Sequence, residues 1–503
     1  MDVLSHLALG FGVALTLKNL AYCFFGVLLG TLIGVLPGVG PLVTIAMLLP
    51  ITFGLDPISA LIMLAGIFYG AQYGGSTTAI LVNMPGEASS AVTAIDGYQM
   101  ARQGRAGPAL ATAAIASFVA GILSTLVVAV FGPMVGQLAL EFGAAEYFSL
   151  MLMGLVFAAV LAHGDLIKSL AMVVVGLMLG IVGTDVTSGL PRFSFGLPEL
   201  LDGVGFTVVA VGLFAVAEIV HNVTGTETVE VFSTDVKNLM PTKEDIKAAA
   251  GPTLRGTVLG SLFGALPGIT ASVASFSAYM LEKKLAKDPS RFGHGAIEGV
   301  ASPEAANNAA AQTHFIPTLT LGIPATAVMA LMLGALTMQG IQPGPEVMNS
   351  RPDLFWGLVA SMFVGNVFLL VLNLPLVGLW ARLTQVPYRW LFPAIMMFAA
   401  LGNYSLNNSA VDVYLCAGAG VLGYVMAKLE CHPAPLILGF VLGPPLEENL
   451  RRALLMSDGS FSVFVTRPIS LAFLVITAVA LAAMVLPSLR RRRALATADA
   501  SAD

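Results

Sequence analysis

The sequence predicts an all-α polytopic membrane protein, with about ten to twelve transmembrane segments in two inverted repeats whose helices include Pro/Gly-broken or re-entrant ones. Three observations carry that prediction. Of 503 residues, 57% are hydrophobic and 11% charged, with a mean hydropathy of +0.87, whereas the charged share of a soluble domain is about 25%. Apolar runs near the roughly 20 residues that a bilayer crossing needs recur along the chain. A glycine- and proline-bearing segment occurs twice.

Taken in order, the first 17 residues show no basic stretch and no small-residue cleavage site. They read as a short interfacial or tilted helix and not as a signal peptide. Residues 26–38, GVLLGTLIGVLPG, space Gly26, Gly30, Gly34 and Gly38 four apart, a small-residue stripe that lets two membrane helices approach closely. Pro37-Gly38-Val39-Gly40-Pro41 then breaks the helix, since each proline lacks an N–H and obstructs the preceding turn. Such backbone is tolerated at membrane depth only when buried in protein or lining a wet cavity. A second break follows in TTAILVNMPGEA, residues 77–88. Apolar runs at about 109–132, 145–162, 166–184 and 204–221 complete a first repeat, residues 1–221, and polar residues 222–255 read as a cytoplasmic linker.

The second repeat, 256–487, opens with GTVLGSLFGALPG, which matches 26–38 at eight of thirteen positions with an offset of 230 and restores the stripe as Gly256, Gly260, Gly264 and Gly268. IPTLTLGIPATA, residues 316–327, resembles 77–88 and sets Pro324 on Pro85 at an offset of 239. Runs at 354–379, 409–427 and 468–487 follow, and Arg490 to Arg493 place the tail, 488–503, in the cytoplasm by the positive-inside rule. The same rule predicts inversion. The turn FGLDP at 53–57 has no basic residue while its counterpart EKKLAKDPSR at 282–291 has four; ARQGRAG at 101–107 has two while MQGIQPGPEVMNS at 338–350 has none. Duplicated, Gly/Pro-interrupted segments at matching positions of two halves are the pointer to a secondary-transporter binding site.

Several function classes are excluded or unsupported. The net charge of −5 argues against a nucleic-acid partner, and the bilayer is the partner that composition requires. Cys23, Cys416 and Cys431 show no paired spacing, and the six histidines show no metal-ligand motif. Gly38-Val39-Gly40 follows no strand and precedes no Gly-Lys-Ser/Thr, which disfavours a nucleotide loop. No cofactor is implied.

Polar residues at the breaks are the candidate site. Ser76, Thr77, Thr78, Asn83, Pro85 and Gly86 in the first repeat, with Thr318, Thr320, Gly322 and Pro324 in the second, are the expected substrate contacts. Pro37, Gly38, Gly40, Gly268, Thr270, Asn307 and Asn308 are the expected ion contacts. A broken helix presents N–H groups and a positive dipole end to a carboxylate, while unwound carbonyls hold Na⁺. The bland alternative is that these hydroxyls and amides are interhelical packing glue. Glu87, Asp96, Glu298 and Glu304 flank the motifs, where any could bind a cation or relay a proton; each lies close to a polar loop and reads first as an exposed interfacial acid, and His314 as a histidine bonded within a bundle or a protonation sensor.

The blocks GVLPGVGP, YGGSTTAILVNMPGEASSAVTAIDGYQMARQGRAGPAL, PEAANNAA and IPTLTLGIPATAVMALMLGAL resemble those of the large permease subunit of the tripartite tricarboxylate transporters, over residues 20–470 or so. The resemblance implies a multi-pass bacterial inner-membrane permease that works with a small four-helix membrane subunit and a periplasmic solute-binding receptor. It implies import of a small carboxylate such as citrate on a Na⁺ or H⁺ gradient, with Pro37 to Pro41, Ser76 to Pro85, Asn307-Asn308 and Thr318 to Pro324 lining the working region. The chain departs from that pattern where Thr313-His314 and Ala325 replace glycines. A stand-alone ion-coupled carrier is the second expectation. An intramembrane enzyme is the third, for which the sequence offers no nucleophile–base pair.

Overall fold

The computed structural model describes residues 3–36, 40–83, 85–162, 165–185, 187–224, 239–383 and 388–499. It is almost entirely helical. The first half comprises α1 (Val3–Ala14), α2 (Leu17–Gly34), α3 (Pro41–Thr52), α4 (Pro57–Val82), α5 (Ala91–Arg102), α6 (Ala106–Ala139), α7 (Ala144–Leu161) and α8 (Leu166–Gly180), then α9 (Phe206–Ala210) and α10 (Ala217–Thr224) joined by a π-helical turn, Val211–Val216. The second comprises α11 (Lys243–Gly264), α12 (Ala271–Leu285), α13 (Glu298–Thr313), α14 (Phe315–Thr320), α15 (Ala327–Met338), α16 (Val347–Ser350) and α17 (Pro352–Asn373). It continues through α18 (Val377–Leu383), α19 (Tyr388–Asn407), α20 (Ala410–Lys428), α21 (Pro433–Met456), α22 (Val463–Thr466) and α23 (Pro468–Asp499). Among the described residues six helices are long and apolar enough to cross a membrane: α2, α4, α6, α7, α17 and α20.

Local chemistry sets several boundaries. α4 starts where the Asp56 carboxylate caps the Ser59 N–H and Pro57 takes the first helical position, where no intrahelical N–H is needed. α11 starts at a capping box in which Thr242 and Asp245 satisfy each other's backbone N–H. Lys243 to Arg255 of the expected linker are therefore helix continuous with the second glycine stripe, and the rest of that linker, 225–238, lies outside the described residues. The apolar run expected over 354–379 divides at Pro375, with α17 ending two residues before it. The run expected over 166–184 stops at Gly180 and turns into a short antiparallel pair, β1 (Gly183–Thr184) with β2 (Pro191–Arg192).

The chain forms two compact units, each built from two segments. Unit one is Met1–Leu140 with Gly205–Lys428, and unit two is Glu141–Val204 with Leu429–Asp503. Each predicted repeat thus contributes to both units. Unit two packs α21 and α23 on α7, and α21 on α8. There Gly176 and Gly180 of α8 lie against the Leu436 and Phe440 carbonyls of α21, and Arg192 bonds Asp185 and Glu447 at 2.6 and 2.9 Å.

Unit one holds the glycine stripes. Gly26, Gly30 and Gly34 of α2 press on the carbonyls of Met63, Ile67 and Ala71 in α4, and a Cβ on any of the three would overlap that oxygen. Gly256, Gly260 and Gly264 of α11 press in the same way on Ser302, Ala306 and Ala310 of α13. The three partner positions are related by one offset of 239 residues (302 against 63, 306 against 67, 310 against 71), the offset that relates Pro324 to Pro85. The duplication legible in the motifs therefore extends to the helices they pack on.

Candidate functional site

All the predicted site residues belong to unit one, and the breaks come together in pairs. Pro37 and Gly38 lie outside the described residues. Gly40 caps α3 in an extended conformation, and a Cβ there would sit 2.6 Å from the Gly86 carbonyl oxygen. Gly86 in turn lies on Gly75, 2.7 Å from Gly75 Cα to a Cβ built on it, so the two broken segments of the first repeat touch through backbone. In the second repeat Gly268, at φ +83°, donates its N–H to the Ala325 carbonyl at 3.2 Å. Both α4 and α14 lead into left-handed residues at matching positions, Asn83 at φ +56° and Gly322 at φ +69°, 239 apart. Pro85 and Pro324 follow them two residues on.

The departures from the family pattern fall at this crossing. Thr313, His314 and Ala325 occupy the positions that Gly74, Gly75 and Gly86 hold in the first repeat. His314 is buried, its Nε2 is 3.1 Å from the Ile269 carbonyl, and its Nδ1 makes no hydrogen bond. Thr270, which caps α12, has an equally unpartnered hydroxyl. The second crossing is thus filled by side chains where the first is closed by bare backbone.

Side-chain geometry divides the candidates. Thr77, Thr78, Thr318 and Thr320 spend their hydroxyls on carbonyls of their own helices, those of Tyr73, Gly75, His314 and Ile316, as helix-interior threonines commonly do. Asn83 is exposed, and its left-handed backbone is the conformation that asparagine tolerates best after glycine. Ser76, Asn307 and Asn308 reach across helices, Ser76 and Asn308 in addition to bonding the Gln72 and Glu304 carbonyls of their own helices. Asn307 donates to Glu87 at 3.0 Å and accepts from Gln72 at 3.4 Å. Asn308 donates to Ser117 at 2.7 Å. Ser76 donates to both Glu304 oxygens, at 2.8 and 2.9 Å.

Glu304 corrects its expected exposure: it is 1% accessible, and it also accepts from Thr93 at 2.5 Å and Ser117 at 3.2 Å. Asp96 is buried as well, with one oxygen accepting the N–H groups of Gly293, Gly295 and Ala296 and the other the Tyr279 hydroxyl. Its acceptors are filled from four donors, which makes it a clamp between α5 and the loop before α13. Glu298 is half-buried and paired with Arg291 at 3.2 Å. Beside Glu304 a cavity with about 20 Å³ of room for a small guest is lined by Tyr73, Ser76, Thr77, Ser117, Asn373 and apolar neighbours. Gln72, Tyr73, Thr93, Ser117 and Asn373 were outside the sequence-based candidates. The only signal for them is their helical register, Gln72 and Tyr73 lying one turn before Ser76 and Thr77.

This is an oxygen-rich centre built around the Glu304 carboxylate, whose oxygens the Ser76 hydroxyl approaches at 2.8 and 2.9 Å, together with two paired backbone breaks. The profile of the tripartite tricarboxylate transporter TctA family matches residues 20–438. A 52.8 kDa protein of Agrobacterium vitis, from the TAR-I ttuC' 3' region, is 58% identical over 493 residues, covering 98% of both chains. Another A. vitis protein, from the TAR-II ttuC' 3' region, is 58% identical over 234 residues, 46% of this chain and 97% of its own. No solved structure matches. With the family profile spanning most of the chain and a relative aligned along nearly all of it, this protein belongs to the tripartite tricarboxylate transporter TctA family.

Proposed function

We propose that the chain is the permease subunit of a receptor-dependent, cation-coupled secondary importer of tricarboxylates or related small carboxylates, placed in a bacterial inner membrane with its tail in the cytoplasm. Family membership supports transport and a multi-subunit context. The observation that carries the rest is the pairing of two backbone breaks within each repeat, Gly40 on Gly86 and Gly268 on Ala325. Such breaks gather freed N–H groups and helix N-termini, those of α3 and α12, which favour a carboxylate without any lysine or arginine. The departures at Thr313, His314 and Ala325 make the two crossings unequal, and that asymmetry suits a substrate at one and packing at the other.

Uptake into proteoliposomes tests this. A panel of radiolabelled carboxylates is offered with and without a periplasmic receptor and the small membrane subunit, with a Na⁺ or H⁺ gradient imposed singly. Saturable uptake is expected only when all three proteins and one gradient are present. Robust uptake by this chain alone would establish the stand-alone carrier in its place.

A further inference from the structure

We propose that Glu304 anchors a sodium site completed by Ser76, Ser117, Tyr73 and Asn373, an assignment that rests on the cation-coupled reading and names its ion and ligands. A buried carboxylate demands a compensating charge, because removal from water penalises the anion heavily. Glu304 is 1% accessible, and among the described residues no lysine, arginine or histidine forms an ion pair with it. What it has instead is hydroxyl donors on three helices, Ser76 of α4, Thr93 of α5 and Ser117 of α6. They orient the carboxylate but bring no net charge.

The cavity beside it supplies a second, independent observation. Tyr73 and Asn373 line it together with Glu304, Ser76 and Ser117. The Tyr73 hydroxyl and the Asn373 Oδ1 are buried and make no hydrogen bond. The Asn373 amide nitrogen is committed to the Leu369 carbonyl at 2.9 Å, so the group left unpartnered on this cavity-lining residue is an acceptor. Two unpartnered oxygens, two serine hydroxyls and a carboxylate around room for one water-sized guest form an all-oxygen set, which suits a hard cation. Glu304 is the carboxylate that lines this cavity, Glu87 being held apart from it by Asn307, and one lining carboxylate balances one monovalent charge, whereas a divalent ion would leave a positive charge uncompensated by the lining in a low-dielectric interior. Glu304 belongs to the second repeat and Ser76 and Tyr73 to the first, so the ion ties the repeats together, and any movement between them alters its ligands.

The test is equilibrium binding of ²²Na⁺ to the purified full-length permease in nanodiscs, at constant ionic strength made up with choline. Saturable binding is expected for the wild type and its loss for Glu304→Gln. Tyr73→Phe and Asn373→Leu should each raise the dissociation constant roughly tenfold, the scale of one hydrogen-bonding group lost from a charged centre. Na⁺ should also raise the thermal unfolding midpoint of the wild type and leave that of Glu304→Gln unmoved, a readout that needs no transport. Absence of saturable binding, or binding unchanged in both Glu304→Gln and Tyr73→Phe, overturns the assignment. So does uptake that follows an acid gradient, ignores Na⁺ and is lost in Glu304→Gln, which marks a proton carrier. Na⁺-driven carboxylate uptake with intact ²²Na⁺ binding in Glu304→Gln sinks the site and leaves the transport reading standing. Na⁺ binding lost in that variant, with no carboxylate taken up by the assembled system, does the reverse.

Discussion

Asn83 shows how a residue type can be right for a reason other than the expected one. It sits where α4 ends, exposed and at φ +56°, opposite in the duplication to Gly322 at φ +69°. A left-handed residue other than glycine costs about 1–2 kcal/mol, less for asparagine, whose side chain bonds locally. Asn83→Gly is therefore expected to keep wild-type stability, while Asn83→Ala should lose about 1 kcal/mol, both read as thermal unfolding midpoints in detergent. Uptake per folded molecule should be unaltered in either, and a fall in uptake at unchanged stability would return Asn83 to the binding surface. The polar residues near the breaks were legible as a set, but their partition was not. Ser76 and Thr77 are neighbours in sequence and both line the cavity beside Glu304, yet only the Ser76 hydroxyl bonds Glu304, that of Thr77 being spent on the Tyr73 carbonyl. Glu304 was misjudged because Arg291 and Glu298 mark a nearby polar loop. At 1.5 Å per residue, however, six residues of helix carry it about 9 Å beyond Glu298 and into the interior.

At the scale of elements, the stripe was legible and its partner was not. Spacing of four names the face of α2 that must be bare, but only the structure shows it lying on the α4 carbonyls of Met63, Ile67 and Ala71. Gly30→Leu and Gly260→Leu would each force a side chain into facing backbone, a strain of about 1–3 kcal/mol or more, and should cut the yield of folded, monodisperse protein. Gly12, on α1 with nothing near its missing Cβ, is the contrast. Gly12→Ala should leave that yield unchanged or raise it slightly, since alanine is the better helix former. Equal damage from all three would show that the stripe is not a contact. A second element-scale contact joins the repeats outside the apolar core, between Arg105 after α5 and Asp245 in the cap of α11, at 2.6 Å. Partial burial opposes the charged form of Asp245, but the Arg105 guanidinium and Thr242 outweigh it and hold the carboxyl below its ordinary value of 3.8. A lowered carboxyl stabilises the fold above that value and loses its contribution as pH falls through the folded one. The unfolding midpoint of Asp245→Asn should therefore lie below the wild type at pH 7, with the gap closing under pH 4 or so; a gap that is constant from pH 7 to pH 3 would assign the effect to the cap alone.

For the whole molecule, the loops that meet are the ones that the charge pattern puts on one side. Gln103, in the basic loop of the first repeat, donates to the His294 carbonyl at 2.9 Å, just beyond the basic loop of the second. Gln339, beginning the loop of the second repeat that has no basic residue, donates to the Thr52 carbonyl at 3.3 Å, beside the turn of the first that has none. In each case the two loops occupy different positions in their repeats, a pairing that accords with the expected inversion. The two basic loops meet each other, which accords with one cytoplasmic cluster, while beside the other pair Lys18 is ion-paired with Asp56 and Arg351 with Asp353. Single cysteines test it, placed at exposed positions that carry none of these contacts: Gly54 and Gln342 for the pair without basic residues, Arg102 and Lys284 for the basic pair. The background lacks Cys431, the native thiol that is neither buried nor bonded to another cysteine. Membrane-impermeant maleimide added to intact spheroplasts should label Gly54→Cys and Gln342→Cys, and should reach Arg102→Cys and Lys284→Cys only after permeabilisation. Gly54 and Lys284 are the deciding pair, since they lie at the C-terminal ends of equivalent helices of the two repeats, just after α3 and in the last turn of α12. Labelling of both from one side would mean that the copies run parallel, and would remove the physical basis for a site that opens alternately to the two faces of the membrane.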